Sequence, residues 1–197
     1  MKKVIALPII AAGLMAVFGG LVNAEEGRKS VGLTLRGGVF FPTDRCTRDI
    51  TGSTWFDVGA EYQVATFATK KADSKESLGA SISVDYYGKD VCCRDGWGNG
   101  SRNRTVYNVP ILANLVYRNS GVVLSAGAGV GITRAPFDGW GGGWDGGRCR
   151  DTKATFSYQV TAGYEFGGST PIGIEGRFLG SSDTRLNGVG VNLFVRF

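Results

Sequence analysis

Gly188-Val189-Gly190-Val191-Asn192-Leu193-Phe194-Val195-Arg196-Phe197 is the stretch on which the reading of this chain turns. A β-strand sends successive side chains to opposite faces. Val189, Val191, Leu193, Val195 and Phe197 therefore share one face, and Gly190, Asn192, Phe194 and Arg196 share the other. One face is wholly apolar, the other is mixed, and the sequence ends on an aromatic residue. That pattern suits the closing strand of a membrane-spanning β-barrel, whose residues face lipid and lumen in turn.

Upstream, the same period of two recurs in seven further segments: residues 31–42, 54–65, 78–89, 103–118, 122–133, 153–166 and 172–179. In the first, Val31, Leu33, Leu35, Val39 and Phe41 oppose Thr34 and Arg36. In the second, Phe56, Val58, Ala60, Tyr62 and Val64 oppose Asp57, Gly59, Glu61 and Gln63. In the sixth, Phe156, Tyr158, Val160, Ala162, Tyr164 and Phe166 oppose Ser157, Gln159, Thr161 and Glu165. Each is close to the roughly 9–11 residues a tilted strand needs to cross a bilayer. No segment carries a 3.6-residue period, so almost no helix is expected beyond the N-terminus. Pro110 lacks a ladder donor and calls for a bulge or a non-bonded position. The predicted fold class is all-β, an eight-stranded antiparallel up-and-down transmembrane β-barrel. Its outward Phe41, Tyr62, Tyr86, Tyr107, Tyr117, Tyr158, Tyr164, Phe166 and Phe197 read as aromatic girdles at the bilayer interfaces. The rival is a soluble β-sandwich, in which the same aromatic residues would be core.

Two domains are expected. Residues 1–24 have the form of a signal peptide: Lys2 and Lys3, an apolar run broken by Pro8, then Val22-Asn23-Ala24 as a small-x-small cleavage site. Residues 25–197 would form the barrel. Elsewhere no run approaches the roughly 20 apolar residues of a spanning helix. The formal net charge of +5 is scattered, with no block of like charge, so no nucleic-acid partner is expected.

The connections alternate in length. Residues 43–53, 90–102, 134–152 and 180–187 are long, whereas those following Arg118 and Phe166 are short; residues 66–77 break the pattern. Long loops at one end and short turns at the other are the habit of outer-membrane barrels. All four cysteines, Cys46, Cys92, Cys93 and Cys149, fall in the long loops. An exported chain meets an oxidising compartment, which favours disulfides. A bond between the neighbours Cys92 and Cys93 is strained, so Cys46 and Cys149 are each expected to bond one of them. A zinc site is disfavoured, since there is no histidine and no C-x-x-C spacing.

Val109-Pro110-Ile111-Leu112-Ala113-Asn114-Leu115, the glycine-rich residues 126–132, and Phe156-Ser157-Tyr158-Gln159-Val160 followed by Ala162-Gly163-Tyr164-Glu165 carry a resemblance. The chain resembles the small eight-stranded outer-membrane barrels of Gram-negative bacteria, the OmpA-like and opacity-protein-like group. The likeness covers residues 31–197. It implies a bacterial outer-membrane location with mature termini in the periplasm, and contact with outer-membrane lipid and lipopolysaccharide. It also implies assembly by the barrel-insertion machinery, with Phe197 as the assembly signal. The cysteine-bearing loops depart from the commoner members of that group, so no loop function carries over.

Some outer-membrane barrels are lipid hydrolases or acyltransferases that rely on a histidine base beside a serine. With no histidine, that arrangement is impossible here, and no catalytic residue is assigned. Asp57, Glu61, Asp85, Glu165 and Glu175 share the inward face with Arg36, Arg177 and Arg196. Charges held out of water must be paired, so these eight are expected to form a polar plug rather than an acid/base pair. The chain is accordingly expected not to be an enzyme, and no cofactor or metal is expected. In the loops, Trp97, Trp140 and Trp144 are contact candidates for a sugar or a partner protein. Nearby Asp95, Asn99, Asp138 and Asp145 lack any calcium-binding spacing. The expected role is structural, adhesive or surface-interacting, through disulfide-tied extracellular loops. The alternatives are a small-solute channel and a secreted, ligand-binding β protein.

Overall fold

Two-residue alternation, with apolar side chains on one face and polar or small ones on the other, is satisfied when a sheet closes on itself and separates two environments. The computed structural model describes residues 32–67, 76–94, 101–134, 152–167 and 170–197. They form β1 (Leu33–Pro42), α1 (Arg45–Thr51), β2 (Trp55–Phe67), β3 (Glu76–Arg94), β4 (Ser101–Asn119), β5 (Val122–Arg134), β6 (Lys153–Phe166) and β7 (Ile172–Ser181). A 3₁₀ turn (Thr184–Leu186) and β8 (Gly188–Arg196) follow. Every strand pairs antiparallel with its sequence neighbours, and β1 closes the barrel against β8. The closing register runs from Thr34↔Arg196 to Pro42↔Gly188.

Polarity is inverted relative to a water-soluble sandwich. Leu193 is 68% exposed, Phe56 61% and Leu115 58%, while Arg177 is 2% exposed. Thr155, Ser157, Gln159 and Thr161 are buried along β6, between exposed Phe156, Tyr158 and Val160. The soluble-sandwich alternative needs the reverse, so it does not describe this chain. Outward aromatic residues gather toward both ends. Tyr86 stacks with Tyr107 at 6.1 Å near one, and Tyr164 tilts against Phe166 at 4.9 Å near the other.

Two local features differ from expectation, and a third meets one of its two expected forms. The first long connection contains α1, which Asp44 caps: its carboxylate accepts from the Thr47 N–H at 2.7 Å. That satisfies one of the orphan donors of the first turn. β3 and β4 run past residues 89 and 103, to Arg94 and from Ser101. Pro110 takes the non-bonded position rather than the bulge. The β3–β4 ladder pairs Val84↔Ile111 and Tyr87↔Asn108 in one unbroken register and omits only the positions between. The bulge lies in β2 instead, where Val64 is skipped between Gln63↔Ser81 and Ala65↔Ala80.

The end of the barrel holding Leu33 and Arg196 is here called the terminal end, and the opposite one the loop end. At the terminal end β4 and β5 are joined by Ser120 and Gly121, with φ of +49° and +92°. Positive φ at both central residues is what a two-residue hairpin requires to match strand twist.

Candidate functional site

Inside the barrel, side chains from non-adjacent strands meet across the lumen. Arg36 on β1 forms ion pairs with Glu61 on β2, with Glu175 on β7 at 3.3 Å, and with Asp85 on β3 at 3.8 Å. Arg177 on β7 donates to both carboxylate oxygens of Asp57 at 2.6 Å and pairs with Asp85 at 2.9 Å. Asp85 thus lies between the two guanidiniums. Toward the terminal end, Glu165 accepts from Arg118 at 3.2 Å and from Arg196 at 2.9 Å, and Arg118 also donates to Gln63 at 2.8 Å. Arginine suits these positions because its planar fork serves several carboxylates while remaining charged.

A neutral network fills the wall between. The Gln159 amide donates to Asn114 at 2.8 Å, Asn114 donates to Ser83 at 3.1 Å, and Ser125 bonds Thr161. Thr133 donates to Asn108 at 3.1 Å, and Asn108 donates to the Tyr87 hydroxyl. Glycine makes the room. A Cβ on Gly59 would lie 1.8 Å from Asp85 Oδ1, and one on Gly127 would lie 1.8 Å from Asn114 Oδ1. Those in-strand glycines mark close approach of side chain to backbone.

The loop end is sealed differently. Phe40, Trp55, Tyr87, Val106, Leu179 and Leu186 form a buried apolar cluster. Phe40 sits 4.4 Å from Tyr87 and 5.7 Å from Trp55, ring centre to ring centre. Around it, the Trp55 indole donates to Thr51 at 2.9 Å, and the Thr47 hydroxyl donates to the Arg185 carbonyl at 3.0 Å. These bonds fasten α1 and the 3₁₀ turn to each other and to the barrel. Asp183 accepts from Arg185 at 2.8 Å and pairs with Lys153 at 2.9 Å. The Arg185 bonds hold its carboxyl down at about 2, against the opposing effect of burial and with help from Lys153.

The structure therefore brings Arg36, Asp57, Glu61, Asp85, Glu175 and Arg177 into one lattice, and places Glu165 and Arg196 in a separate cluster with Arg118. Every one of the five carboxylates is engaged by a guanidinium. Arg118, Gln63 and the apolar cluster had not been singled out from sequence. Phe197 is exposed, and its N–H donates to the Leu33 carbonyl at 2.8 Å. Cys46 lies on α1, and Cys92 and Cys93 on β3. The cysteine side chains, with Cys149, Trp97, Trp140 and Trp144, lie outside the described residues, so the disulfide pairing does too.

Eight antiparallel strands, a charged and amide-lined lumen and an apolar exterior now stand together. The fold is that of a small outer-membrane β-barrel. No family model matches the sequence, and no curated protein does. Among solved structures, the outer membrane protein Ail of Yersinia pestis, studied in a phospholipid bilayer nanodisc, superposes with a TM-score of 0.47 at 13% identity. That match covers 85% of this chain and 100% of Ail. The outer membrane enzyme PagL superposes with a TM-score of 0.45 at 12% identity, covering 83% of this chain and 98% of its own. The PagL match corrects one expectation from sequence, that the chain is not an enzyme: an outer membrane enzyme stands among the structures this barrel resembles. The absence of histidine excludes a histidine base, and no more than that.

Proposed function

We propose that this outer-membrane barrel carries its loop end at the cell surface and both termini in the periplasm, and acts there in adhesion, surface structure or partner binding. The observation that carries the reading is the asymmetry of the two ends. A tight Ser120-Gly121 turn lies at one, whereas α1, the 3₁₀ turn and the outrunning β3 and β4 gather at the other. Elaborated loops on a rigid scaffold are the usual carriers of recognition. Residues 1–24 act as the export signal, Phe197 as the mark read by the barrel-assembly machinery, and the exterior meets outer-membrane lipid and lipopolysaccharide.

On this reading Cys46 and Cys149 bond Cys92 and Cys93 and tie the loops together. The packing of α1 beside β3 supports it, since it brings Cys46 to the same end of the barrel as Cys92 and Cys93. Each such bond constrains the unfolded chain by about 2–4 kcal/mol. Trp97, Trp140 and Trp144 are the contact residues of these loops. Two experiments test the proposal. Cells displaying the chain should adhere to surfaces coated with extracellular-matrix proteins several-fold better than cells lacking it, and equal adherence would contradict the adhesive role. Alkylation of the unreduced protein should leave its mass unchanged; a gain in mass would refute the tied loops.

A further inference from the structure

β3 and β4 outrun both of their neighbours. The last β2–β3 pair at the loop end is Phe56↔Gly88, and the last β4–β5 pair is Tyr107↔Arg134. The β3–β4 ladder continues without them, from Lys89↔Val106 to Arg94↔Ser101. The two strands therefore leave the barrel as a two-stranded ribbon. On the β5 side, the flanking chain lies outside the described residues. On the β2 side it is described throughout, and it does not follow β3. β2 begins at Trp55, and the chain before it folds into α1. The Lys89 ammonium donates to the Thr54 carbonyl at 3.1 Å, and α1, a helix rather than a strand, packs beside β3. Residues 90–94 of β3 consequently offer a sheet edge with no strand beside it among the described residues.

An open edge presents unpaired N–H and C=O groups and templates the addition of another strand. Charge decides which strand. The paired ribbon residues include Lys89, Arg94, Arg102 and Arg104 against a single acid, Asp90. That one carboxylate already accepts from the Thr105 hydroxyl across the ladder at 2.5 Å. Two such ribbons repel each other, which disfavours pairing with a second copy of the chain. An extended segment rich in glutamate or aspartate has the opposite charge and is steered toward the edge.

We propose that the β3 edge at residues 90–94 takes up an acidic, extended segment of a partner protein by strand addition. The proposal rests on the surface-facing orientation of the loop end and gives it a partner chemistry. Neither the lumen lattice nor the apolar plug takes part in it.

The test uses the full chain folded in phospholipid nanodiscs and a fluorescent peptide alternating glutamate with valine, read by anisotropy. Two controls accompany it: the same peptide N-methylated at alternate amides, and one with lysine for glutamate. The acidic peptide should bind saturably, at least about tenfold tighter than either control. Equal binding of the N-methylated peptide would reduce the contact to charge attraction and overturn strand addition. Equal binding of the lysine peptide would overturn the charge selection, and no binding at millimolar peptide would overturn the whole proposal. The triple variant Arg94→Glu, Arg102→Glu, Arg104→Glu should lose at least about tenfold in affinity while keeping the heat-modifiable gel mobility of a folded barrel. Unchanged affinity in that folded variant would also overturn it, as would a dimer of the chain that the peptide does not disperse. Should displaying cells still adhere while no peptide binds, the ribbon proposal fails alone. Should adherence be absent while the acidic peptide binds, the adhesive role fails and the ribbon proposal stands.

Discussion

Arg177 is buried, and two carboxylates depend on it. Removing one partner of a buried ion pair leaves uncompensated charge, which costs about 3–5 kcal/mol. Arg177→Met should therefore lower the unfolding free energy obtained from a urea series by an amount of that order, and an unchanged midpoint would show that Asp57 and Asp85 do not need it. Gly59→Val should destabilise by about 1–3 kcal/mol through overpacking, since its Cβ meets Asp85 Oδ1 at 1.8 Å; unfolding in the same denaturant series measures this. Asp183 gives a pH dependence. Its folded carboxyl is held at about 2, below the ordinary 3.8, so folding favours the ionised form. That contribution is complete above about pH 4 and is lost as pH falls through about 2. The protection factors of amides in the 3₁₀ turn, corrected for intrinsic exchange, should fall across that window, and Asp183→Asn should make them flat. Parity along each strand was enough to read Arg36, Asp57, Glu61, Asp85, Glu175 and Arg177 as inward from sequence. Their partners were not all readable, because Arg36 also reaches Glu175 on β7, 139 residues away, and only barrel closure joins those two.

At the scale of elements, the loop end is closed by apolar packing rather than by charge. Trp55 is the largest side chain of that cluster, and Trp55→Ala should cost about 3–5 kcal/mol and loosen α1, whose Thr51 hydroxyl accepts from the indole. The unfolding midpoint together with proteolysis between α1 and β2 would register both effects; a loss of stability with α1 still protected would show that the two are not coupled. The eight strands were legible because each repeats one polarity rule. The cluster was hidden by the same rule. Phe40, Trp55 and Tyr87 share the parity of Arg36, Asp57 and Asp85, and an inward face dominated by charge does not announce an aromatic layer. Asp44 three residues before Thr47 was a readable helix-start signal, yet α1 is too short to show a 3.6-residue period. The extent of β3 and β4 was missed because residues 90–94 and 101–102 lie beyond the apolar alternation, where backbone pairing alone sustains the strands.

For the whole molecule, the arrangement is a sheet wrapped around its own polar residues with its apolar residues turned outward, stable only where lipid or detergent covers that exterior. The opening stretch states this in miniature. Val189, Val191 and Leu193 are exposed, whereas Gly190, Asn192 and Phe194 are buried. Methyl NMR of the unmodified protein in detergent micelles doped with a doxyl-labelled fatty acid tests that assignment most directly. The methyl signals of Val189, Val191, Leu193 and Leu35 should be broadened away, while those of Leu112, Val116, Leu179 and Leu186 persist. The reverse pattern, with the second group broadened and the first retained, would contradict the barrel's inside-out polarity and with it the outer-membrane reading.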